Sequence, residues 1–502
     1  MKKILKFSLF AFVLTFGMIF SANALEAETL TNKLIDAKYS WTPDISKATV
    51  TTFGETSKIN THLQAGDYNR DYYLLDVTNN AAKTNTSGVL LKNVGKYNGK
   101  KVDMKITFAS WKYFTTGTSY PSQVGISIKK NDEKMGYPTL NFERSGYATS
   151  VTYKIEYLVS GTSTKIKIGG NYTIYDNDIH SLEEGNNRIE YVIPGTGFDH
   201  AYKSSNSECA HYAHNFDTNL GNNSYTCNTA DNLAGDMSKK PEHLLTLTYE
   251  ANTLNITYGY YNKSYATNPN IVTTDDPKTT IGHPSGCGFM GGIPVEKFDY
   301  STPSKLVNEK TSDEITENSE FTYSIEQFLP TQENINTLTS LVFKDILEDC
   351  LTIEGTSKIK VFDQNDTNVT NMFTPQINAQ TITLTLKDSY INQKSTFGKT
   401  YTVQLTVKLK SGYDMSKYID GDNYVIPNTA STIINGQEKS TNKVTVHYPV
   451  PAKETQKNDT PQIVSVPSTA ATISLIIVGV AVVLIIVGLG TMFYVTNKKS
   501  KK

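Results

Sequence analysis

Away from its two ends the chain alternates. In "KVDMKITF" the residues Val102, Met104, Ile106 and Phe108 share one parity, and in "VTYKIEYLV" Val151, Tyr153, Ile155, Tyr157 and Val159 do the same. A period of two marks a β-strand with one buried and one wet face. "LLTLTYEANTLNITYGYY" leads Leu245, Leu247 and Tyr249 through a short polar turn to Leu254, Ile256 and Tyr258, which predicts a hairpin. Helical spacing of apolar residues is almost absent between the ends. The pattern therefore predicts an all-β protein with a β-sandwich or jelly-roll-like head of one or two subdomains over residues 25–302. A second alternating region covers 303–449, with the boundary near Thr302, where Pro294 and Pro303 flank a short junction. Beyond Tyr448, "PVPAKETQKNDTPQIVS" is Pro-rich, polar and aperiodic, so 450–465 reads as an extended linker.

The ends are of another kind. Lys2, Lys3 and Lys6 precede an apolar run over 7–20 and a small-x-small site at Ala22-Asn23-Ala24, which predicts a signal peptide over 1–24. Residues 473–495 carry no charge, a length that at about 1.5 Å per residue crosses a hydrocarbon core of roughly 30 Å. Lys498, Lys499, Lys501 and Lys502 follow it, so the positive-inside bias places residues 25–465 outside. The expectation is a C-terminal transmembrane helix and an extracellular, surface-anchored protein.

Composition narrows the partners. With 48 basic and 49 acidic residues the chain has no field that would recruit nucleic acid or an anionic membrane surface. Four cysteines are too few for a disulfide scaffold; Cys209 and Cys227 bracket a polar loop and form the candidate bridge, leaving Cys287 and Cys350 unpaired. Cys209, His211, His214 and Cys227 lack the spacing of a zinc finger, and Asp176, Asp178, Glu183 and Glu184 lack the glycine and spacing of a calcium loop, so neither metal nor cofactor is expected. G-x-S-x-G, HExxH and P-loop sequences do not occur, and Cys287 with the distant His283 is a poor nucleophile pair, so no enzyme is expected.

Three polar residues fall on apolar faces. In "SLVFKDILEDCL" Asp345 shares parity with Leu341, Phe343 and Leu347; in "PSKLVNEK" Lys305 shares it with Val307; in "STNKVTVHYP" Asn442 shares it with Val444, Val446 and Tyr448. Burial disfavours the charged forms of an amine and an acid, so a neutral lysine can attack the asparagine carbonyl while a protonated carboxyl polarises it. Ammonia leaves and an intramolecular isopeptide bond remains. Asn428 stands as the alternative acceptor, sharing parity with Tyr424, Ile426 and Ala430.

"SKLVNEK", "EFTYSI", "VFKDILEDCLTI", "VIPNTAS" and "TNKVTVHYP" together resemble the fimbrial isopeptide-formation domain of Gram-positive pilins and adhesins over 303–449. The resemblance implies an immunoglobulin-like sandwich with Lys305 as nucleophile, Asp345 as the proton-handling catalyst and Asn442 as preferred acceptor, since the first and last strands of that fold lie side by side. Val466-Pro467-Ser468-Thr469-Ala470, the apolar run and the lysine tail resemble a sortase sorting signal, departing from the commonest form at its first and last positions. Transpeptidation after Thr469 to the cell wall and retention of the helix in the membrane both remain open.

The function implied is a cell-surface adhesin or minor pilus-associated subunit that binds a host or matrix ligand, protein or glycan; "YPSQ" and "YPTL" lack the lysine of a shaft subunit. The alternatives are a surface-anchored glycan hydrolase with paired carboxylates and a purely structural wall protein.

Overall fold

Sheets account for nearly all of the regular structure. The computed structural model describes residues 25–451 apart from 32, 60–69, 79–82, 114–121, 131–137, 146–147, 176–187, 213–223, 228–240, 263–284, 291–293, 332–334 and 336. The predicted signal peptide, the linker beyond Pro451, the sorting-like residues 466–470 and the apolar run 473–495 lie outside the described residues. Among the described residues the α-helix is confined to Asp388–Ile391, and no helix is long and apolar enough to cross a membrane. The described part of the chain is all-β, as the alternation predicts.

The two clearest alternating segments pair with each other. Lys100–Tyr113 and Ala148–Val159 run antiparallel at the middle of an eight-stranded sheet, with Val102 opposite Val159, Met104 opposite Tyr157, Ile106 opposite Ile155 and Phe108 opposite Tyr153. All eight of these side chains but Val159 are fully buried. The opposing layer consists of a four-stranded and a five-stranded sheet joined by the isolated bridge between Tyr175 and Gly288. Phe142 of that layer stacks on Tyr153 at 4.1 Å between ring centroids. A buried tyrosine must place its hydroxyl, and the hydroxyl of Tyr157 meets those of Tyr172 and Tyr249 across the layers.

The expected hairpin at 245–258 does not form. Leu245–Ala251 pairs with Ile168–Ile174 and Phe198–Ser204, whereas Thr253–Asn262 pairs with Ala148–Val159 and Arg188–Pro194 in the opposite layer. Leu245, Leu247, Tyr249, Leu254, Ile256 and Tyr258 are all fully buried, so each strand offers its apolar residues to one core from opposite sides. Alternation gives the buried face of each strand and says nothing about whether a short turn stays in one sheet or crosses the sandwich.

Three further sheets form from Ser304 onward, and no described ladder joins them to the strands ending at Met290. The first contains Ser304–Val307, Phe321–Leu329 and Lys399–Leu409, the second Val444–Pro449 and Asn423–Asn428, and the third Leu341–Ile346 and Ala430–Ile434.

The two halves meet through a hairpin of the head. Its strands, Gly88–Tyr97 and Lys100–Tyr113, are joined by Asn98 and Gly99, both with positive φ (48° and 76°), the requirement of a two-residue I′-type turn. The Gly99 amide donates to Glu326 Oε2 at 2.5 Å, and Lys96 Nζ lies 2.7 Å from Glu326 Oε1. Thr400 donates to the Lys96 carbonyl at 3.2 Å, and Gln364 Nε2 to Asp44 Oδ2 at 3.2 Å. Glu326, 5% exposed, is thus a buried carboxylate whose partners come largely from the head.

The candidate isopeptide centre

The lysine strand is fixed from both sides. Ser304–Val307 pairs antiparallel with Phe321–Leu329, placing Lys305 opposite Ile325 and Val307 opposite Tyr323. Asn308 and Glu309 then turn the chain with φ of 45° and 66°, and the Asn308 side chain accepts from the Thr322 amide at 2.9 Å. Alternation along this strand points Lys305 inward with Val307, and Leu341–Ile346 points Asp345 inward with Leu341 and Phe343.

Lys305 is 0% and Asp345 1% exposed, and Lys305 Nζ donates to Asp345 Oδ2. Lys305 Nζ also sits over the face of Tyr323, 4.4 Å from the ring centroid. Burial pushes the Lys305 amine below its ordinary value, against the opposing pull of Asp345. A neutral amine is the nucleophilic form.

The two candidate acceptors occupy different environments. Asn442 is exposed; its Oδ1 accepts from the backbone amide of Lys305 at 2.8 Å and its Nδ2 donates to the Lys305 carbonyl at 2.9 Å. It clasps the backbone of the lysine strand and is occupied there through both atoms. Asn428 is 4% exposed, ends the strand Asn423–Asn428 opposite Val444, and makes no hydrogen bond through either Nδ2 or Oδ1. Its amide faces the buried Tyr323 hydroxyl, and neither group completes a hydrogen bond of standard geometry; Asp345 Oδ1 is likewise buried without one. Asn442 precedes the strand that begins at Val444, where the period-two rule no longer assigns a face.

Tyr323 escaped the sequence argument. Its signal was present in "EFTYSI", where it shares parity with the buried Phe321 and Ile325, but a tyrosine on an apolar face reads as core.

Outside this centre, Cys209 is disulfide-bonded and stands in register opposite Cys227 across two short strands, while Cys350 is buried and free. The Cys287 side chain, His283, His214 and the acidic stretch 176–184 lie outside the described residues. Among the described residues no group of His, Cys, Asp and Glu is arranged to hold a metal. Three buried carboxylates of the head are engaged with neighbours: Asp103 with the Asn93 and Gly161 amides and Ser160, Glu143 with Ser127, and Glu190 with Tyr258.

Comparison with known proteins bears on this same segment. Residues 296–448 match the cell surface antigen I/II C2 terminal domain. The C2-like domain thus contains Lys305, Tyr323, Asp345, Asn428 and Asn442. Platelet adherence protein A of Streptococcus gordonii is 31% identical over 202 residues, which is 39% of this chain and 5% of that protein. The chain accordingly spans a small fraction of the relative it matches. The N-terminal domain of the Streptococcus gordonii adhesin Sgo0707 aligns over 84% of this chain and 96% of its own, at 14% identity and a TM-score of 0.39. BcpA, the major pilin subunit of Bacillus cereus, aligns over 56% of this chain and 69% of its own, at 16% identity and a TM-score of 0.25.

Proposed function

We propose that the protein is a cell-surface adhesin or minor pilus-associated subunit whose C2-like domain locks itself through an isopeptide bond between Lys305 and Asn428, with Asp345 handling protons. The single observation that carries the bond is the buried Asn428 amide, which faces the Tyr323 ring that packs on Lys305 and lies two residues before Ala430, the ladder partner of Asp345. The match to the antigen I/II C2 domain and the kinship with a protein named for platelet adherence support the adhesin role. The chemistry is self-directed and turns over once.

Display at the surface rests on the sequence order of Val466-Pro467-Ser468-Thr469-Ala470, apolar run and lysine tail. In this proposal a sortase joins Thr469 to the cell wall, or the helix is retained in the membrane, and the head meets a host or matrix ligand, protein or glycan.

Intact mass of residues 25–450 tests the bond. The wild type is expected one ammonia short, Lys305→Ala, Asp345→Ala and Asn428→Ala at full calculated mass, and Asn442→Ala still one ammonia short. A wild type at full mass ends the isopeptide proposal. Full mass in Asn442→Ala with loss retained in Asn428→Ala would return the acceptor role to Asn442.

A further inference from the structure

Tyr323 carries a cost that packing does not explain. Its side chain is 0% exposed and its hydroxyl has no hydrogen bond, an arrangement that costs about 1–3 kcal/mol relative to a partnered or absent polar group. Phenylalanine would fill the same space and remove that cost. The other tyrosines of the protein's interior mostly place their hydroxyls: Tyr153 donates to the Gly125 carbonyl at 2.6 Å and Tyr401 to the Thr396 carbonyl at 2.9 Å. The unbonded hydroxyl of Tyr323 is also not isolated from other unbonded groups. Asp345 Oδ1 and both amide atoms of Asn428 are buried without partners in the same neighbourhood, and Lys305 Nζ stands over the tyrosine ring. Unsatisfied groups gathered around one amine are what a site looks like when its polar atoms are aimed at charge that has yet to develop.

We infer that the Tyr323 hydroxyl is the oxyanion donor for isopeptide formation, a role that rests on the Lys305–Asn428 bond proposed above. Reaction begins from the arrangement in which the proton shared between Lys305 Nζ and Asp345 Oδ2 rests on the carboxyl. The Nζ lone pair adds to Cγ of Asn428, and the carbonyl π electrons move to Oδ1, which becomes an oxyanion held by the Tyr323 O–H. Asp345 gives its proton to Nδ2 and takes one from Nζ. The Cγ–Nδ2 bond then breaks with its electron pair going to nitrogen, ammonia departs, the carbonyl re-forms, and Asp345 is left protonated. The hydroxyl faces the amide before reaction, short of a well-formed hydrogen bond, so the bond strengthens as the oxygen becomes charged. An interaction stronger in the transition state than in the ground state acts on rate rather than on affinity.

Tyr323→Phe keeps the ring beneath Lys305 and removes only the hydroxyl. Residues 25–450 of wild type and variant are made in a short cell-free synthesis pulse, and intact mass is followed with time. The variant is expected to lose ammonia about a hundredfold more slowly, the scale of removing one oxyanion donor, and to reach the same final mass. In the Asp345→Ala background, where no bond forms, Tyr323→Phe is expected to leave the thermal midpoint unchanged or raised. Equal rates in wild type and Tyr323→Phe overturn the donor role while leaving the bond intact. A slower rate accompanied by a lowered midpoint in the Asp345→Ala background also overturns it, in favour of a general structural role. A wild type that never loses ammonia removes the bond and the donor role together.

Discussion

A buried primary amide with neither atom bonded costs the native state about 1–3 kcal/mol for each unpaired group, and Asn428 is such an amide. The proposed isopeptide would remove one of its donors and close a loop of about 120 residues between Lys305 and Asn428, worth roughly 5 kcal/mol by analogy with disulfide loops. Without the bond the site becomes sensitive to pH. Burial lowers the Lys305 amine below 10.5, so between that lowered value and 10.5 the unfolded chain binds more protons than the native one, and stability rises with pH. Denaturant unfolding of Asn428→Ala is expected to show this rise as pH climbs towards 10.5, relative to a variant that also carries Lys305→Met and Asp345→Asn. Parallel pH profiles for the two would show that the amine is not depressed. Lys305 and Asp345 were legible in the sequence because each lies inside a strand, where parity with Val307 or Phe343 fixes its face. The burial of Asn428 and the exposure of Asn442 were not, because these turn on where a strand begins or ends, the least reliable feature of any pattern.

Elements were legible where they were long. Lys100–Tyr113 and Ala148–Val159 each repeat the alternation several times, and each forms the strand that the alternation predicts. The turn at Asn252 was misread because a polar interruption of the same length serves a hairpin or a crossing between layers, and only packing against the second sheet separates them. The Asn98–Gly99 turn shows how much a short element can carry. A Cβ on Gly99 would stand 2.3 Å from Leu306 Cδ1, and its φ of 76° strains any side chain. Gly99→Ala is therefore expected to cost about 1–2 kcal/mol from backbone strain, in addition to displacing Leu306. Chemical denaturation of residues 25–450 checks it; an unchanged midpoint would mean that the hairpin tip does not bear on the lysine strand.

At the scale of the molecule, the described strands sort into separate sheets before Met290 and after Ser304, yet residues up to Val450 form one compact unit. Glu326 explains much of that. Its carboxylate is shared between the Gly99 amide, Lys96 and Thr402. Truncation to alanine strands a Lys96 ammonium whose side chain is 15% exposed, at a cost of about 3 kcal/mol. Glu326→Ala is expected to split a single calorimetric unfolding transition into two, one for the head and one for the C2-like domain. A single transition in the variant, or two in the wild type, would show that the halves are not coupled through this contact. None of this contact was legible in the sequence, since Lys96 and Glu326 share no pattern and meet only through the fold.

The place of Asn428 in the chain has a mechanical consequence. A tug on the C-terminal end reaches Asn428 only after passing Ala430–Ile434, Gln437–Ser440 and Val444–Pro449, all of which follow it in sequence. A Lys305–Asn428 bond leaves these strands outside the covalent loop. They can peel away one after another, paying out about 20 residues or roughly 70 Å of chain, before tension meets a link that does not yield. The Asn442 clasp on the lysine backbone and the ladder between Val444–Pro449 and Asn423–Asn428 are the first to let go. The end of the domain would then work as a shock absorber in series with a hard stop, dissipating a sudden load while everything between Lys305 and Asn428 stays folded.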